Sequence, residues 1–316
     1  MVSGECKPKL IAIVGPTAVG KTAAAIELAM EIQGEVLSCD SMQVYKGMNV
    51  GTAKASPEEQ LCVPHHLIDL VEPDQLFSVA DYQALAQQVI VDVNQRNKMP
   101  ILTGGTGLYY QSVVDNYNFF PMEAQRETRA KLEEQCKEYG LASLYNALQK
   151  IDPNYAEMIS ENDKKRIIRA HEVFELTGQP FSQFQGKNPN TYQLVIIGLF
   201  LEREFLYERI DKRVDEMLEN GLLDEVKELK QNGYDLSLNA LNALGYKQGW
   251  CYLDGLMSYE DMVQEIKQET RRYAKRQYTW FNKDKRIQWI DVRQILNTKD
   301  LHKKICSLVE GQFYKV

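Results

Sequence analysis

The chain of 316 residues contains no apolar run of about 18 or more residues, so no membrane span is predicted. Its opening stretch, MVSGECKPKLIAIVG, passes from a short polar lead into a strand-like segment. The apolar stretch and small-residue cleavage site of a secretion signal are missing. Cysteine is sparse and scattered, at Cys6, Cys39, Cys62, Cys136, Cys251 and Cys306, with no CxxC. With only four histidines beside them, structural zinc and a disulfide framework are both disfavoured. Reduced thiols and a cytoplasmic location are expected. His65 and His66 are adjacent, do not share a face in regular structure and have no third ligand motif nearby, so a structural or loop role is expected. Positive charge is in the minority: the net charge of −7 gives no global attraction to nucleic acid or membrane, and any polyanion must be held by local basic clusters. Internal repeats and low-complexity linkers are absent. The 44% hydrophobic and 26% charged content then leaves an ordinary globular chain, long enough for about two domains or for one core with a large insertion.

A parallel α/β sheet is predicted from the order of elements. Lys9 to Val14 is a short apolar run ending in a glycine-bounded turn, alanine-rich Thr22 to Gln33 has helical character, and Val36 to Cys39 forms a second strand ending at Asp40. Ser78 and Asp81 form a capping box for a helix to about Asn94, and Ile101 to Thr103 is another buried strand before Gly104-Gly105-Thr106-Gly107. From about Phe119 to Gly186 the sequence is charged and helix-patterned. LVIIGLFL, Leu194 to Leu201, resumes the sheet as a strand covered on both faces. A helical pattern follows to about Phe281, then a short strand at Gln288 to Val292 and a helix from Thr298. The expected fold is therefore α/β, a P-loop parallel-sheet core over 1–118 and 190–316 with a helical insertion domain over 119–189.

Gly15-Pro16-Thr17-Ala18-Val19-Gly20-Lys21-Thr22 fits GxxxxGK[ST] between a strand and a helix. Its glycines let backbone N–H groups turn toward phosphate oxygens, Lys21 adds a point charge, and the Thr22 hydroxyl can ligand Mg²⁺. Such a loop binds a di- or triphosphate without specifying which, or whether a phosphoryl group moves. A kinase or ATPase would carry an acid at the end of an apolar strand. The strand at Ile101 to Thr103 ends in glycines instead, and the carboxylate ending an early strand is Asp40, followed by Ser41-Met42-Gln43. Asp40 could cap a helix or turn, but a strand-end carboxylate beside a phosphate loop lies where open α/β sheets place active sites, which favours the functional reading.

Two basic strips stand out. Arg271 to Arg286 holds seven Lys/Arg against one acid, Asp284, and Arg272, Lys275, Arg276 and Thr279 fall on one helical face. The second is Lys164-Lys165-Arg166-Ile-Ile-Arg169, in the expected insertion. Either strip alone is compatible with a solvated helix face, whereas two beside a phosphate-loop core suggest a nucleic-acid groove. Trp280 and Phe281 are expected in the core.

GPTAVGKT, DSMQVYKGMNVGTAK, HHLIDL, FSVADY, LTGGTGLYY, KKRIIRAHEV, RVDEMLENGLLDEV, ALGYKQ and YAKRQYTWF occur in an order that resembles the bacterial tRNA dimethylallyltransferases, or tRNA isopentenyltransferases. The resemblance runs from about Leu10 to Phe281. It implies transfer of the dimethylallyl group from dimethylallyl diphosphate to N6 of the adenosine 3′-adjacent to the anticodon of tRNA, with diphosphate released and Mg²⁺ assisting, in a protein expected to be a monomer. It implies a phosphate loop that binds the donor diphosphate without hydrolysing ATP. It puts the general base at Asp40 and the diphosphate-contacting groups at Lys21, Thr22, Thr106 and Arg213. It implies tRNA contacts at Asp40, Ser41, Met42, Gln43, Thr106, Arg129, Lys165, Arg166, Arg169, Asn242, Gly245, Tyr246, Lys247, Arg272, Lys275, Arg276, Gln277 and Thr279. Departures are His171, where the family usually has leucine, and a stretch over Pro121 to Arg129 one residue longer than the family pattern. The zinc-finger extension of eukaryotic relatives is not expected. Three alternatives remain open: a P-loop kinase of a small metabolite, an adenylate isopentenyltransferase acting on free nucleotides, and an RNA-binding protein whose nucleotide site only switches conformation.

Overall fold

The computed structural model describes residues 7–119, 126–184, 186–294 and 298–313, so Cys6 and most of the stretch from Pro121 lie outside the described residues. The strands are β1 (Lys9–Val14), β2 (Gly34–Ser38), β3 (His65–His66), β4 (Met99–Gly104), β5 (Gln193–Phe200) and β6 (Gln288–Asp291). They form one sheet in the order β3-β2-β4-β1-β5-β6, and every pairing is parallel. The helices are α1 (Lys21–Ile32), α2 (Pro57–Cys62), α3 (Val79–Gln95), α4 (Gly107–Val114), α5 (Arg126–Tyr139), α6 (Leu141–Ile151), α7 (Pro153–Met158), α8 (Lys164–Thr177), α9 (Arg203–Glu219), α10 (Leu222–Gln231), α11 (Tyr246–Leu253), α12 (Tyr259–Phe281) and α13 (Thr298–Phe313).

The chain divides into two compact units, Met1–Val114 with Asn190–Val316, and Asp115–Pro189. In the first unit, alternation along the strands feeds two cores. Ile11, Ile13, Val36 and Ile101 pack with α1 and α13 on one face, and Leu10, Ala12, Leu37 and Leu102 pack with α3, α4 and α10 on the other. β1 and β4 are covered on both sides, which is why they are apolar without a polar alternate. The Ser78/Asp81 capping box is present on α3, and Phe281 is buried with Trp280 packed beside it.

The second unit has its own core, built from Leu132 of α5, Leu144 and Leu148 of α6, Tyr155 of α7, and Ile167 and Ile168 of α8. It begins four residues before the expected boundary at 119. The reason is local: Asn188 N–H donates to the Asp115 carbonyl at 2.8 Å, and Tyr117 bridges Lys187. His171 is buried on α8, and its Nε2–H donates to the Leu144 carbonyl at 2.8 Å. The substitution that departs from the family pattern therefore adds a tie between α8 and α6.

The histidine pair, for which a structural or loop role is expected, forms the short edge strand β3. His65 Nδ1 donates to the Val63 carbonyl at 2.8 Å. His66 Nε2 lies 2.8 Å from Glu35, whose carboxylate also binds Arg96 and Lys98. The Arg96 hydrogen bonds, helped by His66 and Lys98, hold the Glu35 carboxyl at about 2 despite burial. No metal-type grouping of His, Cys, Asp and Glu occurs among the described residues. The described cysteines are free thiols. No helix among the described residues is long and apolar enough to cross a membrane.

Candidate active site

A cavity of about 440 Å³ is lined by the phosphate loop, the 40–43 turn, residues 51–53, Gly104 and Gly105, and Arg213, Tyr273 and Gln277. It sits at the C-terminal ends of β1, β2 and β4, the end at which open parallel sheets bind ligands. All of these residues belong to the first unit.

The loop after β1 folds back because its backbone leaves the ordinary region. Gly15 has φ +146°, and a Cβ there would lie 2.6 Å from the Leu199 carbonyl oxygen. Ala18 and Gly20 also have positive φ, after which α1 begins at Lys21. The first amides of α1 are left without intrahelical partners and carry the positive end of the helix dipole.

Lys21 Nζ donates to the Pro16 carbonyl at 2.6 Å. Burial, reinforced by the Arg213 charge, pulls its pKa down to about 7, with Asp40 and Cys39 pulling the other way. Burial also lowers the pKa of Arg213, again opposed by Asp40. Two crowded cations, with Arg276 also in the lining, thus face a single carboxylate, since Asp40 is the one acid there. A polyanion would relieve this imbalance, which is the electrostatic signature of a di- or triphosphate site.

Asp40 serves in both capacities open to it. Its Oδ1 accepts the Met42 N–H at 2.9 Å, capping the turn, and it lines the cavity facing Lys21 and Arg213. Thr106 stands just behind the wall, where Oγ1 accepts the Ser41 N–H at 3.0 Å. Beneath them the Cys39 thiol is pushed up to about 12 by burial, so it stays protonated and inert.

Several of the expected tRNA contacts are also tied into the fold. Tyr246 is 1% exposed, with its hydroxyl on Glu225. Gln277 is 4% exposed and braces two loops: its Oε1 accepts the Thr17 N–H at 2.8 Å and its Nε2 donates to the Gly105 carbonyl at 2.9 Å. The Gln43 amide is committed inside the protein as well, donating to the Thr52 and Ala53 carbonyls at 3.1 and 3.2 Å and accepting from Ser38 Oγ at 2.7 Å. Gly245 is buried at the start of α11, and Asn242 donates to the Leu236 and Leu238 carbonyls. Gln43, Asn242, Gly245 and Gln277 nevertheless line the cavity, whereas Tyr246 is buried and lies off that lining.

The remaining basic positions are exposed, apart from half-buried Arg169. Arg272 pairs with Glu269, while Lys275, Arg276 and Thr279 stand on the same solvent side of α12. Lys247 is exposed on α11. In the second unit Arg166 pairs with Asp163, Arg169 with Glu172, Arg129 with Glu133 and Glu172, and Lys165 is exposed. The exposed Arg129–Glu133 pair contributes little stability, so a phosphate could displace it, whereas Glu172 is buried and depends on its arginines. Tyr273 was missed by sequence reading. It falls four residues before Gln277, one helical turn away on the inner face of the helix whose outer face is basic.

A parallel α/β core with a phosphate loop, two crowded cations and a lone carboxylate in one cavity defines a protein that handles a polyphosphate and can accept a proton beside it. A family model described as IPP transferase matches residues 43–284. The chain belongs to that family. It is 56% identical over 305 residues to the tRNA dimethylallyltransferase of Syntrophomonas wolfei, covering 96% of this chain and 98% of the relative. It is 51% identical to that of Carboxydothermus hydrogenoformans, covering 90% and 92%. Among solved structures it resembles the full-length tRNA isopentenylpyrophosphate transferase of Bacillus halodurans, with 43% identity, coverage of 97% and 98%, and a TM-score of 0.70. It also resembles a eukaryotic dimethylallyltransferase acting on tRNA, with 28% identity, coverage of 96% and 85%, and a TM-score of 0.77.

Proposed function

We propose that this protein transfers the dimethylallyl group from dimethylallyl diphosphate to N6 of the adenosine 3′-adjacent to the anticodon in tRNA. The observation that carries the reading is the division of one cavity into a cationic wall, Lys21 and Arg213, and a carboxylate, Asp40. The names of the relatives support tRNA as the acceptor. In the reaction the adenine N6 forms a bond to the allylic carbon as the carbon–oxygen bond to diphosphate breaks. Lys21, Arg213 and the loop amides take up the charge growing on the leaving oxygens, and Asp40 accepts the N6 proton.

Mg²⁺ fits this site as a substrate-borne ion. The chain offers the Thr22 hydroxyl and one carboxylate, the sparse protein ligation typical of an Mg²⁺ that keeps phosphate and water ligands. Bound there, it would supply further charge neutralisation for the diphosphate. Thr22, at the first turn of α1, is the residue that would hold it.

The direct test is mass spectrometry of nucleosides from tRNA incubated with the protein, dimethylallyl diphosphate and Mg²⁺. An isopentenyl mass on one adenosine per tRNA is expected. Prenylated AMP, ADP or ATP with unmodified tRNA would overturn the reading.

The outer face of α12 is proposed to bind the tRNA backbone. Replacing Arg272, Lys275 and Arg276 by alanine should weaken tRNA binding and flatten its salt dependence, each lost phosphate contact reducing the slope of log K against log salt by roughly 0.7–0.9. A filter-binding series measures this, and an unchanged slope would remove the face from the interface. The same series on Lys165, Arg166 and Arg169 tests the second unit separately.

A further inference from the structure

Glu225 stands in the first turn of α10, and its carboxylate receives four hydrogen bonds. Oε2 accepts the N–H groups of Asn49 and Val50 at 2.7 and 2.9 Å. Oε1 accepts the Gly51 N–H at 3.2 Å and the Tyr246 hydroxyl at 2.5 Å. Three successive amides turned toward one anion form a backbone nest, and charge-assisted hydrogen bonds of this kind are about twice as strong as neutral ones. Burial and the neighbouring Glu225 raise the pKa of Tyr246, which keeps its proton on the oxygen as a donor. The Tyr246 ring lies so close over Gly51 that a Cβ there would sit 2.4 Å from it. The turn is therefore closed from outside by a carboxylate and a ring drawn from α10 and α11, more than 170 residues further along the chain.

The next two residues carry this order inward. The carbonyls of Thr52 and Ala53 hold the Gln43 amide, whose oxygen accepts from Ser38. Gln43 closes the turn that opens at Asp40. Lys54 secures the far end, donating to the Tyr45 carbonyl and Asn49 Oδ1, both at 2.9 Å. A continuous path of hydrogen bonds and covalent backbone thus leads from Glu225 through residues 49–53 to Gln43 and the turn bearing Asp40.

We propose that Glu225 is a positioning residue for the acceptor side of the reaction: it holds the 49–53 turn, and through Gln43 the Asp40 turn, without touching either substrate. The proposal rests on the prenyl-transfer reading given above. It separates the two halves of the site. The donor wall is braced independently by Gln277, which ties the phosphate loop at Thr17 to Gly105, so loss of Glu225 should spare donor binding.

The test compares Glu225→Ala and Glu225→Gln with the wild type, at temperatures where thermal melts show every protein folded. Glutamine can keep an oxygen on Asn49 and Val50 and turn its NH₂ toward Tyr246, whose hydroxyl rotates to accept, losing only the Gly51 bond. Single-turnover prenylation with saturating tRNA and donor should fall by at least about tenfold in Glu225→Ala, since misplacement of about 1 Å can cost 10²-fold. In Glu225→Gln it should recover to within about threefold of wild type by the same geometric argument. Calorimetric affinity for dimethylallyl diphosphate should stay within about twofold in both, because no donor contact is removed. Amide hydrogen exchange of the peptides covering 43–54 should accelerate in Glu225→Ala and, more locally, in Glu225→Gln.

A wild-type rate in Glu225→Ala would overturn the proposal, as would donor affinity falling in step with rate, which marks a general structural loss. Should Glu225→Ala fail to fold, exchange at residues 43–54 unchanged in Glu225→Gln would overturn it. If the wild type itself leaves tRNA unmodified, the functional reading fails, while the exchange measurement still decides whether Glu225 orders the turn.

Discussion

Replacing Lys21 by alanine is expected to lower single-turnover transfer by about 10²–10³, the usual loss when one preorganised group facing developing charge is removed. The free protein holds the Lys21 pKa down at about 7, chiefly through burial and then through Arg213. A bound diphosphate reverses that balance, because its negative charge favours the ammonium over the amine. Donor binding should therefore take up a proton. The sign follows: below about pH 7 Lys21 is already charged and binding needs no proton from solvent, whereas above it the proton must be supplied and apparent affinity falls as pH rises. Titration calorimetry in two buffers of different ionisation enthalpy, at pH 8, measures the uptake. Diphosphate has titrations of its own, so the diagnostic quantity is the difference between wild type and Lys21→Ala. Equal proton uptake in the two proteins would take Lys21 out of contact with the donor.

The parts of this molecule that were legible in the sequence are those governed by neighbours in the chain. The phosphate loop is a contiguous string whose glycines and lysine act within eight residues of one another. The strands β1, β4 and β5 announce themselves as unbroken apolar runs because both sheet faces are covered. What stayed hidden depends on distant partners. β3 is two residues long and exists because β2 lends it an edge. Gln277 and Tyr246 are expected among the tRNA contacts because the family resemblance puts them there, in YAKRQYTWF and ALGYKQ. Each is turned inward by a partner on another element, Gln277 by Thr17 and Gly105 and Tyr246 by Glu225. A period-3.6 reading of α12 holds the clue to the first: Ala274, Gln277 and Phe281 fall on one buried stripe, while Arg272, Lys275 and Thr279 fall on the other side. No such local pattern marks Glu225, whose three amide partners lie more than 170 residues away.

Asp40→Ala is expected to fold, to bind tRNA and donor within several-fold of wild type, and to lose at least about a hundredfold in single-turnover rate. The argument begins with the nucleophile. The N6 lone pair of adenine is delocalised into the ring, so attack on the allylic carbon places positive charge on that nitrogen as the new bond forms. A carboxylate within hydrogen-bond reach can orient the amine and then take its proton. General-base catalysis of this kind typically contributes about 10²–10⁴ in rate, or roughly 3–5 kcal/mol of barrier. Asp40 is suited to the task by its surroundings. Its turn is held by the Met42 N–H and by Ser41 on Thr106, and it lines the same cavity as Lys21 and Arg213. The same cations are presented to the leaving group, so the base and the departing diphosphate compete for one field. Removing Asp40 takes away the single counter-charge in the cavity lining, and donor affinity should rise slightly as transfer collapses. Lys21→Ala, by contrast, should lose affinity and rate together. Single-turnover prenylation with saturating tRNA and donor isolates the chemical step, and calorimetry supplies the affinities. If Asp40→Ala keeps a rate within a few-fold of wild type while Lys21→Ala is inactive, the proton leaves by another route, to water or to the departing diphosphate, and Asp40 serves only to cap its turn.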